Sequence, residues 1–206
     1  MNQRNLPFIV LLVTITRSVT GMAQHSGIGL KGGPLLSETR SGAITTNLTP
    51  GATLGLYFPL RAGNRLELQP ELLVTALGAG YTLPDGERST VRTVYAQLPV
   101  SAKLYFSNVI NVQAGVQLGY LLLAQQEDPD GSTTVTENYE TMDLGLVIGA
   151  GADLISGCDI SLRYYNGLKP ILKDDTTYFP RNQAYMLTVG YRFARLRAPK
   201  FERRRS

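Results

Sequence analysis

Residues 183–193 read Gln-Ala-Tyr-Met-Leu-Thr-Val-Gly-Tyr-Arg-Phe. Taken alternately they separate into Tyr185, Leu187, Val189, Tyr191 and Phe193 against Ala184, Met186, Thr188, Gly190 and Arg192. Successive side chains of an extended chain point to opposite sides of a sheet, so this stretch predicts a strand with one bulky apolar face and one thin or polar face. The same alternation recurs along the chain and predicts eight strands, at about 26–36, 51–60, 65–77, 92–106, 111–123, 140–154, 158–168 and 183–193. The apolar stripe stays in phase within each, as in Leu54, Leu56, Phe58, Leu60; in Val112, Ala114, Val116, Leu118, Tyr120, Leu122; and in Leu144, Leu146, Ile148, Ala150, Ala152, Leu154. No charged residue enters these stripes, and a Lys or Arg facing mid-bilayer costs roughly 2–4 kcal/mol.

The segments between the strands alternate in length. Those at 37–50, 78–91, 124–139 and 169–182 are long and polar, while 61–64, 107–110 and 155–157 are tight. Long loops on one rim and short turns on the other, with an even strand number, describe an all-β, eight-stranded, antiparallel up-and-down transmembrane β-barrel with both termini on the short-turn side. Alternation by itself is blind to inside and outside, and a soluble lipocalin-type ligand-binding barrel alternates as well, with its apolar face inward. Three features favour the membrane. The thin face is small or uncharged, as in Gln113, Gly115, Gln117 and Gly119, which suits a narrow interior better than a solvated exterior. With odd strands running outward, Tyr120, Tyr164 and Tyr185 fall toward the external rim and Phe58, Phe106 and Phe193 toward the periplasmic rim, giving two aromatic girdles. The charges of the thin face, Lys31, Lys103, Arg163 and Arg192 with Glu67, Glu71, Asp143 and Asp153, sum to zero. Charges confined in so narrow a lumen must be paired, so they are expected to form an internal network that makes the barrel a plug and not a pore.

The ends are different text. Arg4, the apolar run Leu6 to Ile15 and the small residues of Gly21-Met22-Ala23 predict a cleaved signal peptide over residues 1–23, too short to span as a helix. The barrel domain is then 24–193, and a basic C-terminal tail occupies 194–206. The whole chain has a formal charge of +4, but residues 24–193 hold 12 basic and 15 acidic groups, and the excess lies in a tail with Arg195, Arg197, Lys200, Arg203, Arg204 and Arg205. The high pI therefore reports on the tail and is no evidence for nucleic acid. That tail is suited to anionic lipid or to a periplasmic partner. The single cysteine, Cys158, cannot make an internal disulfide. Pro70 and Pro99 fall inside predicted strands, where a missing N–H predicts a bulge or a local widening.

Several segments resemble a known family. Gly29-Leu30-Lys31-Gly32-Gly33, Leu68-Gln69-Pro70-Glu71-Leu72-Leu73, the run from Tyr95 to Lys103 with its Leu98-Pro99, the run from Gln113 to Tyr120, and Gly190-Tyr191-Arg192-Phe193 are similar to the PorT-like outer-membrane β-barrel proteins of Bacteroidota. The resemblance implies location in the outer membrane of a Gram-negative envelope, insertion by the barrel-assembly machinery and, through the family's founding member, an accessory part in type IX-like secretion. Barrels of this kind end on an aromatic residue that serves as an assembly signal, whereas here thirteen residues follow Phe193.

No catalytic set, cofactor site or metal site is expected. The only histidine, His25, adjoins the cleavage site. Glu67 and Glu71 share their face with cations and are better read as paired than as an acid and a base. Glu127-Asp128-Pro129-Asp130-Gly131 and Asp174-Asp175 read as turn chemistry and lack the ligand spacing of a calcium loop. The function expected is that of a small closed barrel, non-enzymatic, acting structurally or through its external loops.

Overall fold

The structure, a computed structural model, describes residues 26–40, 46–62, 65–82, 88–128, 131–154, 156–173 and 179–196. The predicted signal peptide, His25, Asp174, Asp175 and the tail beyond Leu196 lie outside the described residues. The strands are β1 (Ser26–Arg40), β2 (Asn47–Tyr57), β3 (Leu60–Ala62), β4 (Leu66–Thr82), β5 (Arg88–Tyr105), β6 (Ile110–Asp128), β7 (Gly131–Thr134), β8 (Met142–Asp153), β9 (Cys158–Gly167) and β10 (Arg181–Leu196). All pairings are antiparallel, and β10 returns to pair with β1. Since β3 continues β2 along the same edge of β4, and β7 folds back on β6, the ring has eight strands, in the order β1, β2/β3, β4, β5, β6, β8, β9, β10. Among the described residues no helix is long and apolar enough to cross a membrane, and the crossing elements are strands.

The faces are inverted relative to a soluble barrel. Leu54 and Leu162 are 59 % and 62 % exposed, whereas Glu67 and Glu71 are 0 % exposed. The whole predicted apolar stripe lies on the outside, from Leu66, Leu72 and Val74 through Val116 and Leu118 to Leu187 and Val189. A band of this extent has no counterpart on soluble monomers, whose apolar patches rarely exceed a few hundred Å². A soluble ligand-binding barrel needs the opposite arrangement.

The strands extend beyond their predicted ends on the long-loop rim. β1 reaches Arg40, β2 starts at Asn47, β4 reaches Thr82, β5 starts at Arg88 and β6 reaches Asp128 before turning into β7. Much of what was expected as loop is ladder. Above a lipid layer neither face has to be apolar, so residues such as Thr39, Ser89, Gln125 and Gln126 keep the backbone pairing without the alternation that advertises it. The other rim shows the same effect. β10 passes Phe193 and ends at Leu196, so three residues assigned to the tail belong to the barrel. Ile28 pairs with Ala194 and Gly29 with Arg192, which leaves Phe193 as the extra residue of a bulge.

Of the two outcomes expected at the prolines, a bulge is absent and the ladder is locally interrupted. Phe58 N donates to Pro70 O at 2.9 Å, but Pro70 has no N–H to return the bond, and the strand is interrupted at Phe58–Pro59 between β2 and β3. On the other side of β4, pairing stops between Pro70↔Val100 and Leu73↔Gln97, where Glu71 and Leu72 face Leu98 and Pro99. The register is the same on both sides of each gap. Prolines thus delete ladder bonds without inserting a residue. The register shifts lie elsewhere, at Ile28/Gly29, Leu48/Ala52 and Val94/Tyr95.

Candidate functional site

The lumen is built in layers. Its half toward the short-turn rim is a continuous ionic cluster. Glu71, on β4, accepts a bidentate pair from Arg163 of β9 (Nη1 to Oε2 2.7 Å, Nη2 to Oε1 2.6 Å) and a bond from Lys31 Nζ of β1 at 3.3 Å. Gln69 also donates to Glu71. Lys31 lies 3.4 Å from Asp159, which lies 3.4 Å from Lys103. Lys103 reaches both oxygens of Asp153 at 3.2 Å and stands 4.0 Å from Glu67. Arg192 closes the cluster at 3.7 Å from Glu67 and 3.9 Å from Asp153. Tyr105 Oη donates to Asp153 at 2.6 Å, and Asn111 Nδ2 donates to it at 3.0 Å. Lys31 also sits 4.8 Å from the centre of the Tyr57 ring.

These contacts separate the expected residues. Lys31, Glu67, Glu71, Lys103, Asp153, Arg163 and Arg192 come together; Asp143 does not. It is the second residue of β8, whereas Asp153 is the last. Ten residues along a strand amount to about 34 Å, and alternation fixes the face of a side chain but not its height. Asp143 accepts a bond from Asn182 at 3.0 Å and has no ion-pair partner among the described residues. The fourth anion is Asp159, which the sequence reading missed. Ile160, Leu162 and Tyr164 point outward, so the parity of β9 already placed Asp159 inside. With Asp159 in place of Asp143 the connected cluster holds four cations and four anions.

Above the charges lies a neutral polar layer, in which Thr53 and Thr75 hydroxyls meet at 2.8 Å, Thr75 donates to Gln97 at 2.7 Å, and Ser161 meets Thr188 at 2.8 Å. The half toward the long-loop rim is different again. Leu35, Leu77, Val91, Tyr95, Leu121, Ala124, Val147, Tyr165, Ala184 and Met186 form one apolar cluster inside the barrel. Two further members come from loops: Tyr139 and Ile171 are 6 % and 3 % exposed. They are held by Glu140 N to Ile171 O (2.8 Å), Ile171 N to Pro180 O (2.8 Å), Lys173 N to Asn138 O (3.1 Å) and a bridge between Tyr139 and Leu172. Thr136 Oγ1 ties the start of this cap to β6, accepting from Ala124 N at 2.9 Å. Two loops are therefore stitched across the mouth and cork it. Lumen glycines make room for the rings: a Cβ on Gly29 would lie 2.2 Å from Tyr57, and one on Gly145 would lie 2.4 Å from Tyr165.

On the outer surface, Tyr164 and Tyr185 are register partners with ring centroids 4.9 Å apart. Tyr120 is an outward residue paired with Met142, where β8 begins. Phe58, Phe106 and Phe193 lie toward the short-turn rim, Phe58 between β2 and β3, Phe106 just past the end of β5 and 67 % exposed, and Phe193 three residues before the end of β10. Tyr191 joins that end too, so the two rims are not sorted purely into Tyr and Phe.

An apolar belt outside, a filled polar and ionic interior, and ladders with no open edge around the ring define a small transmembrane β-barrel. The chain belongs to the outer membrane protein beta-barrel domain family, whose model matches residues 22–173. Neisserial surface protein A is similar in structure, with a TM-score of 0.57 at 12 % identity, over 82 % of this chain and 99 % of that one. So is Ail, the attachment invasion locus protein of Yersinia pestis, with a TM-score of 0.51 at 13 % identity over the same shares. At such identities the likeness is one of fold. No curated protein gives a significant match. The protein is thus an outer-membrane β-barrel.

Proposed function

We propose that this barrel is a closed, non-enzymatic element of the outer membrane that acts structurally or as an interaction module through its external end. One observation supports the reading above all: the lumen is filled by buried side chains, the ion cluster and hydroxyl layer toward the short-turn rim and, toward the long-loop rim, the apolar cork with the buried polar groups of Thr93, Asp143 and Asn182 among it. Its buried cations are all paired with carboxylates, and Asp143, the buried acid outside that cluster, is held by Asn182 with no base beside it among the described residues. What projects from the corked end is the extended ladder of β4 to β6 and the β7 hairpin, all four of whose residues are exposed. Residues 1–23 are, in this reading, removed on export, the barrel-assembly machinery inserts the remainder, and the basic segment after β10 faces the periplasm. The motifs similar to PorT-like barrels make that family the finer assignment; a secretion role is not part of the proposal. The test is recovery of the protein from outer membranes with Gln24 as its first residue, followed by planar-bilayer recording of the purified barrel. No discrete conductance is expected, and stable openings would overturn the reading.

A further inference from the structure

The outward face where β1, β10 and β9 meet is ordered in rows toward the external rim. Leu36, Tyr185 and Tyr164 form one row, with the two tyrosines in ring contact. The next is Glu38, Gln183 and Asn166, in which Gln183 Nε2 donates to Asn166 Oδ1 at 2.9 Å. The row above opposes Arg40 directly to Arg181. Both arginines are exposed, and neither has an ion-pair partner among the described residues. Like charges placed opposite each other across a strand pair repel. The contrast on the same rim is Arg92, which faces outward and is paired with Glu127 at 3.1 Å.

Depth supplies the second half of the argument. Aromatic side chains favour the membrane interface, which puts Tyr164 and Tyr185 at the edge of the hydrocarbon. Arg181 is four residues farther along its strand, roughly 10 Å higher once the strand tilt is included. A long arginine side chain spans much of that distance and reaches the headgroup layer, which extends about 5–8 Å beyond the hydrocarbon. We infer that Arg40 and Arg181 form a two-guanidinium clasp for a phosphate-bearing lipid headgroup at the external rim, continuous with the lipid-facing surface below it. Guanidinium forks match phosphate oxygens bidentately, and one dianionic phosphate between the two forks converts their repulsion into two charge-assisted contacts.

The inference rests on the membrane location but not on which rim faces outward, because the test uses symmetric bilayers. The full barrel is placed in phosphatidylcholine nanodiscs carrying phosphorylated lipid A, and lipid A retained per barrel is counted by native mass spectrometry after the bilayer is exchanged for detergent. Retention is expected for the wild type and for Arg92→Gln. In the double variant Arg40→Gln/Arg181→Gln it should fall about twenty-five-fold, each arginine near an anionic surface contributing about a factor of five. Dephosphorylated lipid A should not be retained, and millimolar inorganic phosphate should not displace the lipid. Heat-modifiable gel migration verifies that each variant is folded, and Arg40→Lys/Arg181→Lys, which keeps the charge and loses the fork, should fall in between. Equal retention by the Gln double variant, equal retention of the dephosphorylated lipid, or displacement by inorganic phosphate would each overturn the clasp.

Discussion

Glu71 and Asp143 are both buried carboxylates on the thin face of a strand, and they differ in what surrounds them. Glu71 is gripped by Arg163 and Lys31, so Glu71→Gln strands two buried cations. The expected loss is about 3–5 kcal/mol, the cost of leaving buried charge unpaired. Asp143 touches no cation among the described residues and is held by Asn182, so Asp143→Asn replaces one hydrogen-bonding group by another and should change stability by less than about 1 kcal/mol. Urea unfolding in lipid, followed by circular dichroism because the chain contains no Trp, compares the two. A Glu71 variant no less stable than the Asp143 variant would mean that the cluster does not hold the barrel together. The partition between these acids was only half legible beforehand. Parity along β4 and β8 put both inside, and parity along β9 would have added Asp159, but height in the barrel depends on how neighbouring strands are staggered.

At the scale of the strand, alternation was a reliable guide where lipid lies on one side and a failing one beyond it. Val116 sits midway along the outward stripe of β6, between Leu146 and Val100 in the flanking strands, and is half exposed. Val116→Arg is expected to cost roughly 2–4 kcal/mol. Thr133→Arg, on the exposed β7 hairpin, should stay within about 0.5 kcal/mol. Refolding yields into vesicles across a urea series separate the two, and a tolerated Arg at position 116 would contradict the assignment of that stripe to lipid. The strand ends could not be read this way. Ser37, Thr39, Ser89 and Gln125 are polar residues where the apolar alternation stops, yet their backbone groups are paired, because the ladder is set by neighbours in the ring and not by side-chain periodicity. Phe193 teaches the same lesson at the other rim: it looks like the end of a strand and is a bulge within one.

For the whole molecule, the two fillings of the lumen should behave independently. The ion cluster ties β1, β4, β5, β8, β9 and β10 to one another, while the cork depends on Tyr139 and Ile171 being tucked in from loops. Truncating both, as Tyr139→Ala/Ile171→Ala, should free the segments 135–141 and 168–173 to protease added outside while the barrel keeps its heat-modifiable migration. The barrel should also remain non-conducting, since the charges below still fill it; loss of the fold would show instead that the cork nucleates the barrel. The amino-acid sequence by itself determined the number of strands, the lipid-facing stripes and which charges are internal, because a strand exposed to hydrocarbon on one side must alternate at every step. Only the tertiary structure decided which internal charges meet, that Asp143 stands apart, that an apolar cluster sits in the long-loop half of the lumen, and that two loops close it. Those outcomes depend on strand stagger and on contacts between residues distant in the chain, for which no local pattern in the sequence carries a signal.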